Sequence, residues 1–175
     1  MEVIMKSKPV EAKDGFKSKK NYQNHGDVER LINYVMNDRK RTNLDIYGCI
    51  NLIETEPHEM AMEMEKVKEI FDKQDSYQVK HLCIDVGETP FIKLKKQKFI
   101  HLFERALGYF KGVQIVYAMH ENEEILHIHL ILNTVDIYGN RIDLSNNKLN
   151  GFKENFKKIF EKYYGNETVI ILLFY

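Results

Sequence analysis

Apolar residues recur along this chain with two spacings, one typical of helices and the other of strands. Helical spacing marks four segments, whose apolar positions form one face each. The predicted helices cover approximately residues 27–36, 57–74, 93–110 and 148–164. Asp27 follows Gly26 and is the expected N-cap of the first helix.

Strands are predicted where shorter apolar runs lie between turn residues. These runs are 1–10, 44–53 (interrupted at Gly48), 77–86, 113–119, 125–133 and 168–175. Residues 11–25 are Lys-rich, and we expect a loop or mobile arm there. Long helices that alternate with hairpin-type strands predict an α+β fold, in which an antiparallel sheet has helices packed on one face. A chain of 175 residues is expected to form a single domain, 1–175.

Composition narrows the class of protein without identifying it. Apolar residues make up 43% and charged residues 30%, which is ordinary for a globular protein. The net charge is zero, so no global field attracts nucleic acid, although Lys and Arg outnumber acidic residues in 1–42 and the reverse holds in 43–74. The N-terminus lacks the apolar core of a signal peptide, and the apolar C-terminus is too short to span a bilayer. We therefore expect a cytoplasmic protein without a membrane partner, in which Cys49 and Cys83 are buried free thiols.

Three of the seven histidines lie within ten residues, at positions 120, 127 and 129. In a strand, residues two apart share a face, so His127 and His129 should point the same way while Ile128 and Leu130 enter the core. The intervening residues are enough for a hairpin that brings His120 beside the pair. These three imidazoles are predicted to hold a divalent metal on the open face of the sheet.

A simpler interpretation is that each histidine is only a hydrogen-bonded surface or core residue. Three clustered imidazoles without a metal or a carboxylate would leave polar nitrogens unsatisfied or charges crowded, which favours the metal site. Glu123 lies in the hairpin and adds a carboxylate near the ion. Imidazole and carboxylate ligands allow Mg²⁺ or Mn²⁺, with Zn²⁺ also possible. Such an ion can assist displacement at a phosphoryl group by a hydroxyl nucleophile.

Three segments of the chain resemble motifs of one enzyme family, the MobP-type relaxases of the HUH endonuclease superfamily. The first is His120 with His127-Ile128-His129, followed by Asn133-Thr134-Val135-Asp136 and Gly139-Asn140. The second, residues 31–42, is similar to the helix that bears the nicking tyrosine, and the third, residues 80–85, is similar to a strand with a histidine near its start. The resemblance covers roughly residues 25–165, and the order of the motifs is the relaxase order.

The resemblance implies an enzyme that nicks and rejoins single-stranded DNA at a plasmid or transposon transfer origin, together with other relaxosome proteins. Tyr34 would attack the scissile phosphate, retain the 5′ end and release a 3′ hydroxyl. The histidines at 120, 127 and 129 would hold the metal. His81 and Asp85 would orient a metal-binding imidazole, as partners beyond the ligands often do. The basic residues Arg39, Lys40 and Arg41 would contact DNA phosphates.

Several alternatives remain open from the sequence. The nucleophile could instead be His25, as in a related relaxase group, or Tyr163 or Tyr164, as in replication initiators of the same superfamily. The order of the motifs favours Tyr34.

Two other functions compete with the relaxase. One is a metallohydrolase that acts on nucleic acid without a covalent step, and the other is a non-catalytic DNA-binding module. The activity of a metallohydrolase would survive Tyr34→Phe but not His127→Ala. A DNA-binding module would bind DNA without binding a metal tightly.

Overall fold

The computed structural model of the protein describes residues 24–36, 46–75, 77–86, 96–122, 125–164 and 173–174. The four helices within these ranges are α1 (His25–Met36), α2 (Pro57–Ile70), α3 (Lys96–Leu107) and α4 (Asn146–Tyr164). The strands are β1 (Ile46–Ile50), β2 (Val79–Val86), β3 (Ile115–Asn122), β4 (Ile125–Asn133) and β5 (Leu173–Phe174). The predicted strand at 1–10 and the arm at 11–25 lie outside the described residues, apart from the last two residues of the arm.

The strands form one sheet in the order β1-β3-β4-β2-β5, and every neighbouring pair is antiparallel. The central hairpin pairs β3 with β4, and β2 lies on the other side of β4. The predicted α+β class with an antiparallel sheet is confirmed. The short β5 pairs with the end of β2, within the segment predicted as the last strand.

One face of the sheet is covered by α3 and α4. Their Phe side chains stack and pack edge to face, with Phe103 at the centre between Phe156 and Tyr117. Along each strand, the residues of this core alternate with residues that point to the opposite face, as a strand's two-residue period requires. They are Ile46, Leu82, Ile84, Ile115, Tyr117, Met119, Ile128, Leu130 and Leu132. This apolar layer fixes the register, because a shift of one residue would expose it.

The opposite face carries a second, smaller core, formed where α1 and α2 pack on the sheet. Val116, Ala118 and Ile131 are its contributions from β3 and β4. The sequence predicted helices on one face of the sheet alone. In the structure, α1 and α2 also pack on the face that bears the histidines. The buried residues of α2 run from Met60 to Lys68, whereas Ile70 at its end and Phe71 after it are exposed.

The first helix begins two residues earlier than the sequence predicts. The side-chain oxygen of Asn24 accepts a hydrogen bond from the backbone N–H of Asp27 at 3.0 Å, which is the geometry of an N-cap. The predicted N-cap role of Asp27 is therefore wrong. Asp27 instead lies in the first turn, where its carboxylate pairs with Arg30 and where negative charge favours the helix.

Gly48 continues β1 instead of interrupting it. It pairs with Tyr117 in the register of β1 and β3, and the Tyr117 ring lies over it so closely that a Cβ at position 48 would be 2.4 Å from the phenolic oxygen. The phenol then donates a hydrogen bond to Glu104 Oε1 at 2.6 Å. Burial, followed by that carboxylate, raises the pKa of Tyr117. The glycine is thus a packing requirement of the core.

Candidate metal centre and active site

Three neighbouring strands bring histidines to the same face of the sheet. His120 on β3 pairs directly with His127 on β4, and His129 on β4 pairs with Cys83 on β2. Met119, which precedes His120, and Ile128, which lies between His127 and His129, are fully buried in the core on the other face. The alternation predicted for His127 and His129 and the return of His120 beside them are both observed.

A close cluster forms where β2 meets β4. The Nε2 atom of His81 lies 2.9 Å from Nδ1 of His129, and the thiol sulfur of Cys83 lies 3.2 Å from that Nδ1 and 3.7 Å from the His81 nitrogen. The two imidazole rings are stacked, with centroids 5.1 Å apart. Burial lowers the pKa of His81 to about 4, so this ring is neutral at pH 7. The cluster therefore brings two imidazole nitrogens and one thiol to a common point.

Within the described part of the chain, these three side chains could hold a metal ion, since their ligand atoms all lie within 4.8 Å of one another. Cys83 was predicted to be an ordinary buried free thiol; it is instead half-buried and belongs to this group. The signal was present, because His81 and Cys83 alternate on one strand. What the sequence did not supply was the register that places this pair against His129, 46 residues from Cys83.

The predicted trio of His120, His127 and His129 lies beside this cluster. The ring centroids of His120 and His129 are 5.3 Å apart, with an interplanar angle of 62°. His127 is cross-strand neighbour to His120, and such directly opposite positions place Cβ atoms within about 5 Å. The backbone thus brings three imidazoles to adjacent positions, and neutral imidazoles are suitable ligands for a divalent ion.

Tyr34 lies on the helix that packs on the histidine-bearing face. The buried residues of α1 pack in the core that contains Val116 and Ala118 of β3, and His120 follows Ala118 by two residues on that strand. Tyr34 itself is 42% exposed, so solvent and a large substrate can reach it. The helix therefore presents this phenol on the same side of the sheet as the imidazoles.

The alternative tyrosines lie on the last helix. Tyr163 accepts a hydrogen bond from Arg105 at 3.2 Å, and Lys98 lies over its ring. Both contacts are with α3, and α3 and α4 together cover the face opposite the histidines. The side chains of Tyr164 and His25 lie outside what the structure describes. The geometry of the described residues therefore favours Tyr34 over Tyr163.

Other predicted site residues fall partly or wholly outside the described ranges. Arg39, Lys40 and Arg41, which lie in sequence between α1 and β1, and Glu123, which lies in sequence between β3 and β4, are outside the described residues. Asp85 is placed by its backbone alone, directly opposite His127 in the register of β2 and β4.

Asn133, the last residue of β4, and Asp136, three residues later, stabilise the fold. Asn133 is fully buried, where its amide donates to Met64 O at 2.9 Å and to Gln114 Oε1 at 2.8 Å, while its oxygen accepts from Lys68 Nζ at 2.7 Å. Burial lowers the pKa of Lys68 to about 8. Asp136 accepts backbone hydrogen bonds from Tyr138 and Asn140 and closes the next turn. This part of the motif holds the end of β4 in place.

A groove of about 820 Å³ lies away from the histidines. It is lined by residues of α3, of the turn after it, of the segment 136–143 and of α4, and its charged residues are mostly basic. Those residues are Arg105, Lys111, Arg141, Lys148, Asp136 and Asp143. The groove shares no lining residue with the metal-ligating cluster.

Comparison with known proteins gives one match. A family model described as "Relaxase: MobA/VirD2-like, nuclease domain" matches residues 34–164, which is three quarters of the chain. The matched segment begins at Tyr34 and includes every histidine on the sheet face. No curated protein and no solved structure matches the chain. Within the described ranges, the helices are too short or too polar to cross a membrane.

Proposed function

The chain belongs to the relaxase family of MobA/VirD2-like nuclease domains, and on that premise we propose that it nicks and rejoins single-stranded DNA at a transfer origin through a covalent bond to Tyr34. Members of this family bind single-stranded DNA at the origin of transfer. The observation that carries the proposal is that α1, the helix of Tyr34, packs on the sheet face that bears His120, His127 and His129.

The reaction exchanges one phosphate ester for another. The phenolic oxygen of Tyr34 forms a bond to the scissile phosphorus, and the bond from phosphorus to the 3′ oxygen breaks. The phenolic proton is released, and the departing 3′ oxygen takes up a proton to become a hydroxyl. The 5′ end of the DNA stays on the protein. Because an ester bond is kept throughout, attack by a 3′ hydroxyl on the phosphotyrosine restores the strand without another energy source.

His120, His127 and His129 are proposed to hold the ion, either Mg²⁺ or Mn²⁺, with Zn²⁺ chemically allowed. The imidazole donors on adjacent positions of β3 and β4 fit a divalent ion with open coordination positions. When bound, the ion would neutralise charge on the phosphate oxygens during the displacement. The protein's contribution is to fix the imidazoles on a sheet whose other face is fully packed.

His81 is proposed to orient His129. If His129 binds the ion through Nε2, its Nδ1 carries the proton and donates it to His81 Nε2, 2.9 Å away. The neutral state of His81 supports this role, because an imidazolium could not accept that hydrogen bond. Asp85 is proposed to act in the same way on His127, which it opposes in the strand register. Glu123 is proposed to add a carboxylate at the rim of the site.

The DNA backbone is proposed to run past the end of α1. Arg39, Lys40 and Arg41 follow the last residue of that helix by only a few positions, so their charges would lie near the strand that Tyr34 attacks. Lys and Arg on phosphates supply sequence-independent affinity that falls with added salt. A protein with zero net charge needs such a local basic segment to hold DNA.

The test uses single-stranded oligonucleotides that tile the DNA of the element encoding this protein, with Mn²⁺ present. Wild-type protein should form a complex that resists detergent and should release a fragment ending in a 3′ hydroxyl. Tyr34→Phe should form no complex, whereas the matched variant Tyr163→Phe should behave as wild type. Cleavage that persists in Tyr34→Phe but disappears in His127→Ala would show that water is the nucleophile and would refute the covalent step.

A further inference from the structure

The cluster of His81, Cys83 and His129 contains a thiol that the nicking chemistry does not use. Two imidazole nitrogens and the sulfur lie 2.9, 3.2 and 3.7 Å apart, and all three side chains are half-buried. Cys83 and His129 are direct cross-strand partners, so the backbone holds this spacing.

The spacing is close to that of ligands around zinc. Tetrahedral Zn²⁺ with Zn–N of about 2.0–2.1 Å and Zn–S of about 2.3 Å requires ligand atoms roughly 3.3 Å apart for two nitrogens and roughly 3.5 Å for nitrogen and sulfur. The observed separations differ from these values by a few tenths of an ångström. Small side-chain rotations would therefore close the three atoms around one ion, with a fourth position left for water.

The donor set also selects the kind of ion. Thiolate and imidazole suit Zn²⁺ and Co²⁺, whereas Mg²⁺ and Mn²⁺ prefer carboxylates, carbonyls and water. A site with Cys83 as ligand would therefore discriminate against the ions that serve the proposed nicking site.

We propose that His81, Cys83 and His129 form a binding site for a thiophilic divalent ion of the Zn²⁺ type, and that filling it withdraws His129 from the nicking site. The second half of this inference rests on the proposed function. A neutral imidazole has one nitrogen lone pair, so His129 that binds an ion through Nδ1 carries its proton on Nε2 and cannot also bind an ion there. The two sites share one ligand and exclude each other, which makes a thiophilic ion an inhibitor of nicking.

The first experiment measures the site without reference to activity. Metal-free full-length protein is titrated with Co²⁺, whose bond to a thiolate gives a charge-transfer absorption band in the near ultraviolet. Wild type and Cys49→Ser should both show this band, because Cys49 is the chain's other cysteine and lies outside the cluster. Cys83→Ser should lose the band, and His81→Asn should keep it with affinity lowered at least about ten-fold.

Circular dichroism of each variant establishes that it is folded before titration. Absence of the band in wild type would overturn the proposed site. A band that persists in folded Cys83→Ser, or that disappears in Cys49→Ser, would overturn it as well.

The second experiment separates this inference from the proposed function. Inhibition of Mn²⁺-dependent nicking by Zn²⁺ is measured for each variant against its own uninhibited rate. Cys83→Ser should need at least about ten-fold more Zn²⁺ for half-inhibition than Cys49→Ser. Equal sensitivity would overturn the competition. A His120→Asn variant should lose nicking and keep the Co²⁺ band, and a wild type that shows the band but never nicks DNA would refute the proposed function while leaving the thiophilic site in place.

Discussion

The Nε2 atom of His81 lies 2.9 Å from Nδ1 of His129, across the neighbouring strands β2 and β4. In this hydrogen bond one nitrogen donates the proton and the other accepts it, so the tautomer of one ring depends on that of the other. Because burial keeps His81 neutral, the pair is compatible with two metal sites. In one the metal binds Nε2 of His129, and in the other it binds Nδ1 of His129. On the two proposed sites, the ion that binds would decide which nitrogen of His129 is used.

Removal of His81 should weaken Mn²⁺ binding without removing a ligand. We expect His81→Ala to raise the dissociation constant for Mn²⁺ by about 10- to 100-fold, because His129 loses the partner that orients it. His81→Gln, which keeps a hydrogen-bond acceptor, should recover part of the affinity. Electron paramagnetic resonance of free Mn²⁺ measures the constant. The exposed His101 on α3 supplies the control variant His101→Ala, which should bind as wild type. An unchanged constant in His81→Ala would rule out the orienting role.

Loss of a proposed metal ligand should have a larger effect than loss of His81. His120→Ala and His127→Ala should each abolish measurable Mn²⁺ binding and formation of the covalent complex, because two imidazoles hold a divalent ion weakly. A chelator should abolish the wild-type reaction, and added Mn²⁺ should restore it. Nicking that continues in the chelator would contradict a metal-dependent mechanism.

Lys68 should make the stability of the fold increase with pH in the alkaline range. Its pKa is lowered to about 8 in the folded protein from 10.5, so between these values the unfolded chain binds more protons and unfolding becomes less favourable as pH rises. Below pH 8 both states are protonated and this contribution is flat. The gain between the two values should be about 2–3 kcal/mol. Urea unfolding at a series of pH values measures it.

The control for this prediction is Lys68→Met, which removes the titrating amine and leaves Asn133 without one hydrogen-bond donor. The variant should be less stable at every pH, but its profile should lack the rise seen in wild type. Parallel profiles for the two proteins would show that Lys68 does not titrate in this window.

A methyl group at position 48 should destabilise the core. In Gly48→Ala the new Cβ would lie 2.4 Å from the Tyr117 oxygen, so the ring must move and its hydrogen bond to Glu104 is disturbed. We expect a loss of about 1–3 kcal/mol in the free energy of unfolding. Gly26→Ala is the matched control, since its nearest neighbouring atom would be 3.5 Å away. A loss no larger than that of the control would contradict the packing assigned to Tyr117.

The parts of this structure that the sequence predicted are those set by local periodicity. Two-residue alternation placed His127 and His129 on one face and Ile128 in the core, and the single apolar face predicted for the helix at 148–164 agrees with the burial of Phe152, Phe156 and Phe160. Asp27 was misassigned because Asn24, three residues earlier, offers an equally good capping oxygen, and only the backbone decides between them.

The contacts that the sequence did not predict depend on strand order and register. The separation of His81 from His129 is 48 residues, and the two meet only because β2 pairs with β4 in the register that sets Cys83 opposite His129. Long-range pairing is set by the packing of the whole apolar face, which no local window contains. The second core on the histidine-bearing face was missed for the same reason, because nothing in α1 or α2 indicates on which side of the sheet they pack.

Mass spectrometry of the protein–DNA complex tests the central claim most directly. Wild-type protein that has reacted with a cleavable oligonucleotide in Mn²⁺ is digested with a protease and a nuclease, and the peptide that carries the residual nucleotide is sequenced. The nucleotide should be found on Tyr34, linked through its 5′ phosphate. A nucleotide on His25, Tyr163 or Tyr164, or cleaved DNA with no modified peptide, would contradict the account.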